Sequence, residues 1–175
     1  MSQVEEIATE LGALTAGVEQ AQGQAAAAGR QAEEVARQAA GAGFVAVATG
    51  MLAVQQAIAE IQGRLGNLGG LIGEAAKATA AVPQEGSPQE SIAGLTPVQE
   101  RLDRAREAAS ATIEQVDKTQ RLVTVTLQGG QPGPMLSSLQ NITQVLVPLT
   151  QRMSSARQST DVAIVRARQL GASGN

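Results

Sequence analysis

From Val4 to Ala39 the apolar residues fall at Val4, Ile7, Leu11, Leu14, Val18, Ala21, Ala25, Ala28, Ala32, Val35 and Ala39, in alternating steps of three and four. A repeat averaging 3.5 residues holds one stripe of an α-helix against a partner, so the pattern predicts a long helix packed along its whole length. The rhythm restarts at Phe44, Val47, Met51, Val54, Ile58, Ile61, Leu65, Leu68, Ile72 and Ala75. The first helix is expected from about Gln3 to Ala40, opened by a capping box of Ser2 with Glu5 and stopped by Gly41 and Gly43. The second is expected to end before Pro83. Two helices of matched length, each roughly 57 Å at 1.5 Å per residue, make an antiparallel hairpin with the Gly41, Gly43, Phe44 turn at its tip. Phe44 is expected to plug the end of the bundle.

Between Pro83 and Thr96 the rhythm stops and Pro83, Gly86, Pro88 and Gly94 appear, which reads as a linker. Within it Ser87-Pro88-Gln89-Glu90 carries an N-cap, a proline at N1 and a glutamate at N3, so a short helical turn ending at Gly94 is expected. Thr96-Pro97 then starts a third helix whose seam reads Val98, Leu102, Ala105, Ala109, Ile113, Val116, Gln120, Val123 and Leu127. The two successive steps of four near Ala109 predict a stutter that locally unwinds the supercoil. After the Gly129 to Pro134 turn a fourth helix runs to Gly171, with Pro148 inside it expected to kink or split it at Val147. The fold class is therefore all-α: two long antiparallel hairpins, heptad-patterned and coiled-coil-like, which either combine in an elongated four-helix bundle or stay extended. The division is 1–82 for an Ala/Gly-rich hairpin, 83–96 for the linker and 97–175 for the second hairpin.

The 175 residues include no Cys, His, Trp or Tyr and one Phe. Thiol chemistry, imidazole acid/base work and the usual zinc and haem ligands are thereby excluded. The carboxylates cluster as Glu33 and Glu34, and as Glu100, Asp103, Glu107, Glu114 and Asp117, off the seams and beside Arg or Lys, which is the pattern of a solvated helix face. No catalytic, metal or cofactor site is expected, and the protein reads as a non-enzyme. A formal charge of −3 leaves nucleic acid outside the expected partners. Arg152, Arg157, Arg166 and Arg168 form a basic patch on the fourth helix, expected to complement the acidic first hairpin. The uncharged run Gln38 to Ala59 is too short and too diluted by Ala, Gly and Thr for a membrane span. Gly63, Gly66, Gly70 and Gly73 form a row beside the second seam. At about 1 kcal/mol each relative to Ala in a helix interior, they point to close helix packing, either inside the chain or against a second subunit.

The segments LTAGV (14–18), VARQAAGAGFVAVATG (35–50), TPVQER (96–101) and TLQGGQPGPM (126–135) resemble those of an uncharacterised all-helical actinobacterial family, which implies no activity. More distantly, two Ala/Gln-rich helices joined by a Gly-bearing turn resemble ESX-type helical hairpins. Gly41-Ala42-Gly43-Phe44 stands where that family carries Trp-x-Gly, and the Tyr of its export tail is lacking. The expected function is helix-to-helix interaction or scaffolding, by self-association or with another helical protein, in the cytoplasm. The alternatives are ESX-like export without a cleaved signal peptide and a phasin-like coat on a lipid or granule surface.

Overall fold

A computed structural model describes residues 3–83, 85–130 and 132–173, except the side chain of Ser173. Four helices follow one another, α1 Gln3–Gly41, α2 Val45–Ala80, α3 Pro88–Thr126 and α4 Gly133–Ser173, with no strand among the described residues. Neighbours pack in a closed ring, α1 on α2, α2 on α3, α3 on α4 and α4 on α1, so the two hairpins share one core as an up-down-up-down four-helix bundle. The Ser2 side of the expected capping box lies outside the described residues.

The seams on α1 and α2 are buried as the sequence predicts. Ile7, Leu11, Leu14, Val18, Ala21, Ala25, Ala28 and Ala32 face Met51, Val54, Ile58, Ile61, Leu65, Leu68, Ile72 and Ala75 in the core. On α3 the buried positions are Leu95, Val98, Leu102, Ala105, Ala109, Thr112, Val116, Thr119 and Val123, an unbroken three-four alternation. The expected stutter is therefore absent: Thr112 and Thr119 occupy the seam where Ile113 and Gln120 were expected, and those two lie half-buried beside it. A buried hydroxyl is tolerated because each donates to its own helix, Thr112 Oγ1 to the Ala108 carbonyl at 2.7 Å and Thr119 Oγ1 to the Gln115 carbonyl at 2.8 Å. Thr79 and Thr160 repeat the device at 2.8 Å on α2 and α4.

The linker expected over 83–96 is mostly helix. α3 begins at Pro88, and Ser87 makes the full capping box: its Oγ accepts from Glu90 N at 3.3 Å while Glu90 Oε2 accepts from Ser87 N at 2.7 Å. The helix continues through Gly94 and Pro97, because Leu95 and Val98 on either side of the proline are both buried and hold it against the core. α4 likewise is one helix. Pro148 neither splits it nor ends it, since the proline lies on the exposed face, where water can solvate the carbonyl left without its amide donor.

At the first tip, α1 closes with a Schellman arrangement. Phe44 N donates to Ala39 O at 2.9 Å and Gly43 N to Ala40 O at 3.2 Å, with Gly43 at φ +79°, a conformation that glycine adopts without steric cost. The motif fixes Phe44 outside the helix end. Phe44 is not a plug but 64% exposed.

Three outcomes follow. Leu65→Ala should lower unfolding stability by about 2–5 kcal/mol, as buried leucines do, whereas Phe44→Ala should move it by no more than about 0.5 kcal/mol, both read by urea unfolding. Ser87→Ala should cost about 1 kcal/mol by removing the α3 cap. The bonds from Ser87 N and Oγ hold the Glu90 carboxyl below its usual range, so its contribution is complete above the ordinary glutamate value and is lost as pH falls through the depressed one. Glu90→Gln should therefore lower the melting temperature at pH 7, with the difference from wild type shrinking as pH falls below the ordinary glutamate range.

Candidate interaction surface

The Gly63, Gly66, Gly70 and Gly73 row faces away from the core, and a Cβ built at any of the four meets nothing within 4 Å. Packing inside the chain, one of the two roles expected for it, does not occur, because the row lies outside the arc of α2 that α1 and α3 cover. Close helix approach is instead made by glycines on the covered arcs. A Cβ at Gly17 would come within 2.6 Å of Leu149 Cδ2, and one at Gly50 within 2.5 Å of Thr126 Cγ2.

The arginines of α4 do not act as one patch. Arg152 reaches Glu10 on α1 at 3.5 Å, the expected complement to the first hairpin. Arg157 turns the other way, to Asp103 on α3 at 2.7 Å and Asp161 on its own helix at 3.2 Å. Asp161 also accepts from the Gln99 side-chain amide. Arg166 lines a hollow with Glu5 and Glu85 at the end of the bundle where the chain starts, and Arg168 is exposed. These pairs lie at the surface, where each contributes at most about 1 kcal/mol. Among the described residues no three carboxylates come together in a way that could hold a metal ion. No described helix is long and apolar enough to cross a membrane.

The opposite end has a different chemistry. It is built by the α1–α2 turn at 42–44 and the α3–α4 turn that begins at Leu127, and both lie in stretches with no Asp, Glu, Lys or Arg, residues 38–59 and 122–151. Only the first of these stretches stands out as a segment, because the significance of the second depends on the fold bringing the two together. Gly41, Gly43 and Phe44 form the apex, and Val45 is 73%, Leu52 61% and Val125 63% exposed around it. Large aliphatic side chains rarely stand this open in a group on a monomer's surface without a partner to cover them. Below the apex a cavity of about 390 Å³ opens between α1 and the α3–α4 turn, walled by Ala27, Val35, Leu127, Pro134 and Met135. Arg30, Gln31 and Glu34 of α1 also line it, so its wall is mixed, apolar toward the α3–α4 turn and charged along α1.

Charge is already present at the cavity wall. Both carboxylate oxygens of Glu34 are taken up, by Arg37 at 2.7 Å and by Gln38 at 2.6 Å, and the bond from Arg37, then that from Gln38, holds the Glu34 carboxyl below its usual range. The same bond raises Arg37. This cluster marks the border of the uncharged end on α1.

Closed core, surface ion pairs and exposed apolar residues at one tip characterise an all-α four-helix bundle. Within it, residues 86–172 match the profile of DUF6244, a family of unknown function. The match starts one residue before the Ser87 cap and runs to the end of α4, so it covers the α3–α4 hairpin as a unit and agrees with the resemblance to an uncharacterised helical family. No curated protein and no solved structure matches the chain.

Because the glycine row faces open space, Gly66→Ala and Gly70→Ala should each raise stability by about 0.5–1 kcal/mol through helix propensity, measured by urea unfolding. A loss of stability would mean that the row packs within the chain after all.

Proposed function

We propose that the protein is a non-enzymatic interaction or scaffold protein that works by docking its uncharged end against another protein. The observation that carries this reading is the grouping of Phe44, Val45, Leu52 and Val125, all exposed, on an end whose two turns lie within stretches free of ionisable side chains. Protein interfaces deplete charge at their centre and favour an aromatic anchor there, and Phe44 is the only aromatic the chain has. A coat of helices lying on lipid fits less well, since the apolar stripe of every helix is already spent on the shared core. The bundle would have to open to offer those stripes to a surface.

A photo-crosslinking amino acid placed at Val45 tests the reading in living cells. Discrete protein adducts are expected there, and none from the same group at Glu107, on the charged flank of α3. Equal labelling from both positions, or none from Val45, would remove the proposal.

A further inference from the structure

The cavity of about 390 Å³ between α1 and the α3–α4 turn has two unlike walls. On the turn side stand Leu127 and Met135, the residues at which the buried seams of α3 and α4 reach the turn, with Pro134 beside them. Along α1 stand three polar side chains, Arg30, Gln31 and Glu34, and their hydrogen bonding leaves them in different states. Glu34 is committed, since Arg37 at 2.7 Å and Gln38 at 2.6 Å take up its oxygens. Gln31 is half committed: its side-chain oxygen accepts from the Ser138 hydroxyl at 3.2 Å, while its amide nitrogen has no acceptor among the described residues. Arg30 lies one turn before Glu34, the usual spacing for a helical ion pair, but Glu34 is turned to Arg37 instead. Among the described residues Arg30 therefore has no carboxylate partner. The charges of Glu34 and Arg37 cancel, and the wall is left with one uncompensated cation and with donors whose acceptors are missing.

We propose that this cavity binds a small apolar molecule carrying a single carboxylate, of which a fatty acid of medium chain length is the simplest case. The carboxylate accepts from the Arg30 guanidinium and the Gln31 amide, and the apolar tail lies against Leu127, Met135 and Pro134. The volume falls within the range of about 300–1,000 Å³ in which small-molecule sites are found, and such sites pair mainly apolar walls with a few polar groups that fix orientation. The head group follows from the donors. A neutral molecule would leave Arg30 and Gln31 unanswered, and a cationic head would meet Arg30 with no free acceptor beside it. A dianionic phosphate monoester would bring two charges to one uncompensated arginine, next to the Glu34 carboxylate. A carboxylate matches the single charge and can meet a guanidinium through two parallel hydrogen bonds. None of Phe44, Val45, Leu52 or Val125 lines the cavity, so this site stands independently of the docking role of the tip.

The chain has four methionines, Met1, Met51, Met135 and Met153, of which Met135 lines the cavity. Labelling their methyl groups with carbon-13 and titrating the full chain with decanoate, below the concentration at which it forms micelles, reads the site directly by NMR. The Met135 signal, assigned by its loss in Met135→Leu, is expected to shift and saturate while that of Met153 stays in place. Decanol should bind more weakly than decanoate. Arg30→Gln, a change at an exposed position, should weaken decanoate about fivefold, the size of a surface charge pair, and alter decanol by less than about twofold. Ala27→Phe should block both ligands, with circular dichroism and melting showing that the bundle is intact; Arg30→Gln keeps the test decisive if that bulkier variant fails to fold. Absence of a saturable shift at Met135, decanol binding as tightly as decanoate, or decanoate affinity unchanged in Arg30→Gln would each overturn the proposal. So would decanoate binding that persists in a folded Ala27→Phe.

Discussion

The structure depends on burying four apolar stripes against one another at the same time. Each helix alone is amphipathic and unstable in water, and each stripe is about as wide as two neighbours can cover. The closed ring is the arrangement that covers all four with short connections. Ile58, Leu65 and Ile72 on α2, Leu102 and Val116 on α3, and Leu139 and Leu146 on α4 are fully or almost fully buried in it. At nearly every layer the core is completed by side chains from all the helices, which is why the two hairpins share it and do not form separate units.

That shared core settles where everything else points. Alanines fill much of the buried seam of α1, and the buried threonines of α2, α3 and α4 are tolerated because their hydroxyls donate to carbonyls on their own helix. Ion pairs collect on the flanks, joining α1 to α4, α2 to α3 and α3 to α4 across the surface. Of the exposed large apolar residues, Phe44, Val45, Leu52 and Val125 lie toward the end built by the two turns, while Val147, Val162, Val165 and Leu170 lie along α4.

The seams on α1 and α2, the Ser87 cap and the Gly43 turn were legible in the sequence because each is a local signal, read within a few residues. The α3 seam was misread, since hydropathy favours Ile113 over Thr112, while the stripe that faces α2 and α4 is chosen by geometry. Pro97 and Pro148 look like breaks for the same reason. Whether a proline ends a helix depends on whether neighbouring side chains hold both sides of it and on which face its missing hydrogen bond meets. The glycine row was visible, but its direction was not: Gly66 and Gly69 are three residues apart, yet a Cβ on the first would meet open space and one on the second would lie 3.6 Å from Val18 Cγ1.

The sequence by itself determined an all-helical chain of four long helices with apolar stripes, and a residue set without Cys, His, Trp or Tyr. Periodicity and residue chemistry suffice for this. Only the tertiary structure decided that the hairpins close on one core, that the glycine row lies outside it, and that Phe44 stands open at a tip. It also brought two uncharged stretches, about sixty residues apart in the chain, to the same end. The physical reason is that helix periodicity specifies which face of a helix needs cover, whereas only the relative lengths and registers of packed helices determine which part of that face is left without it.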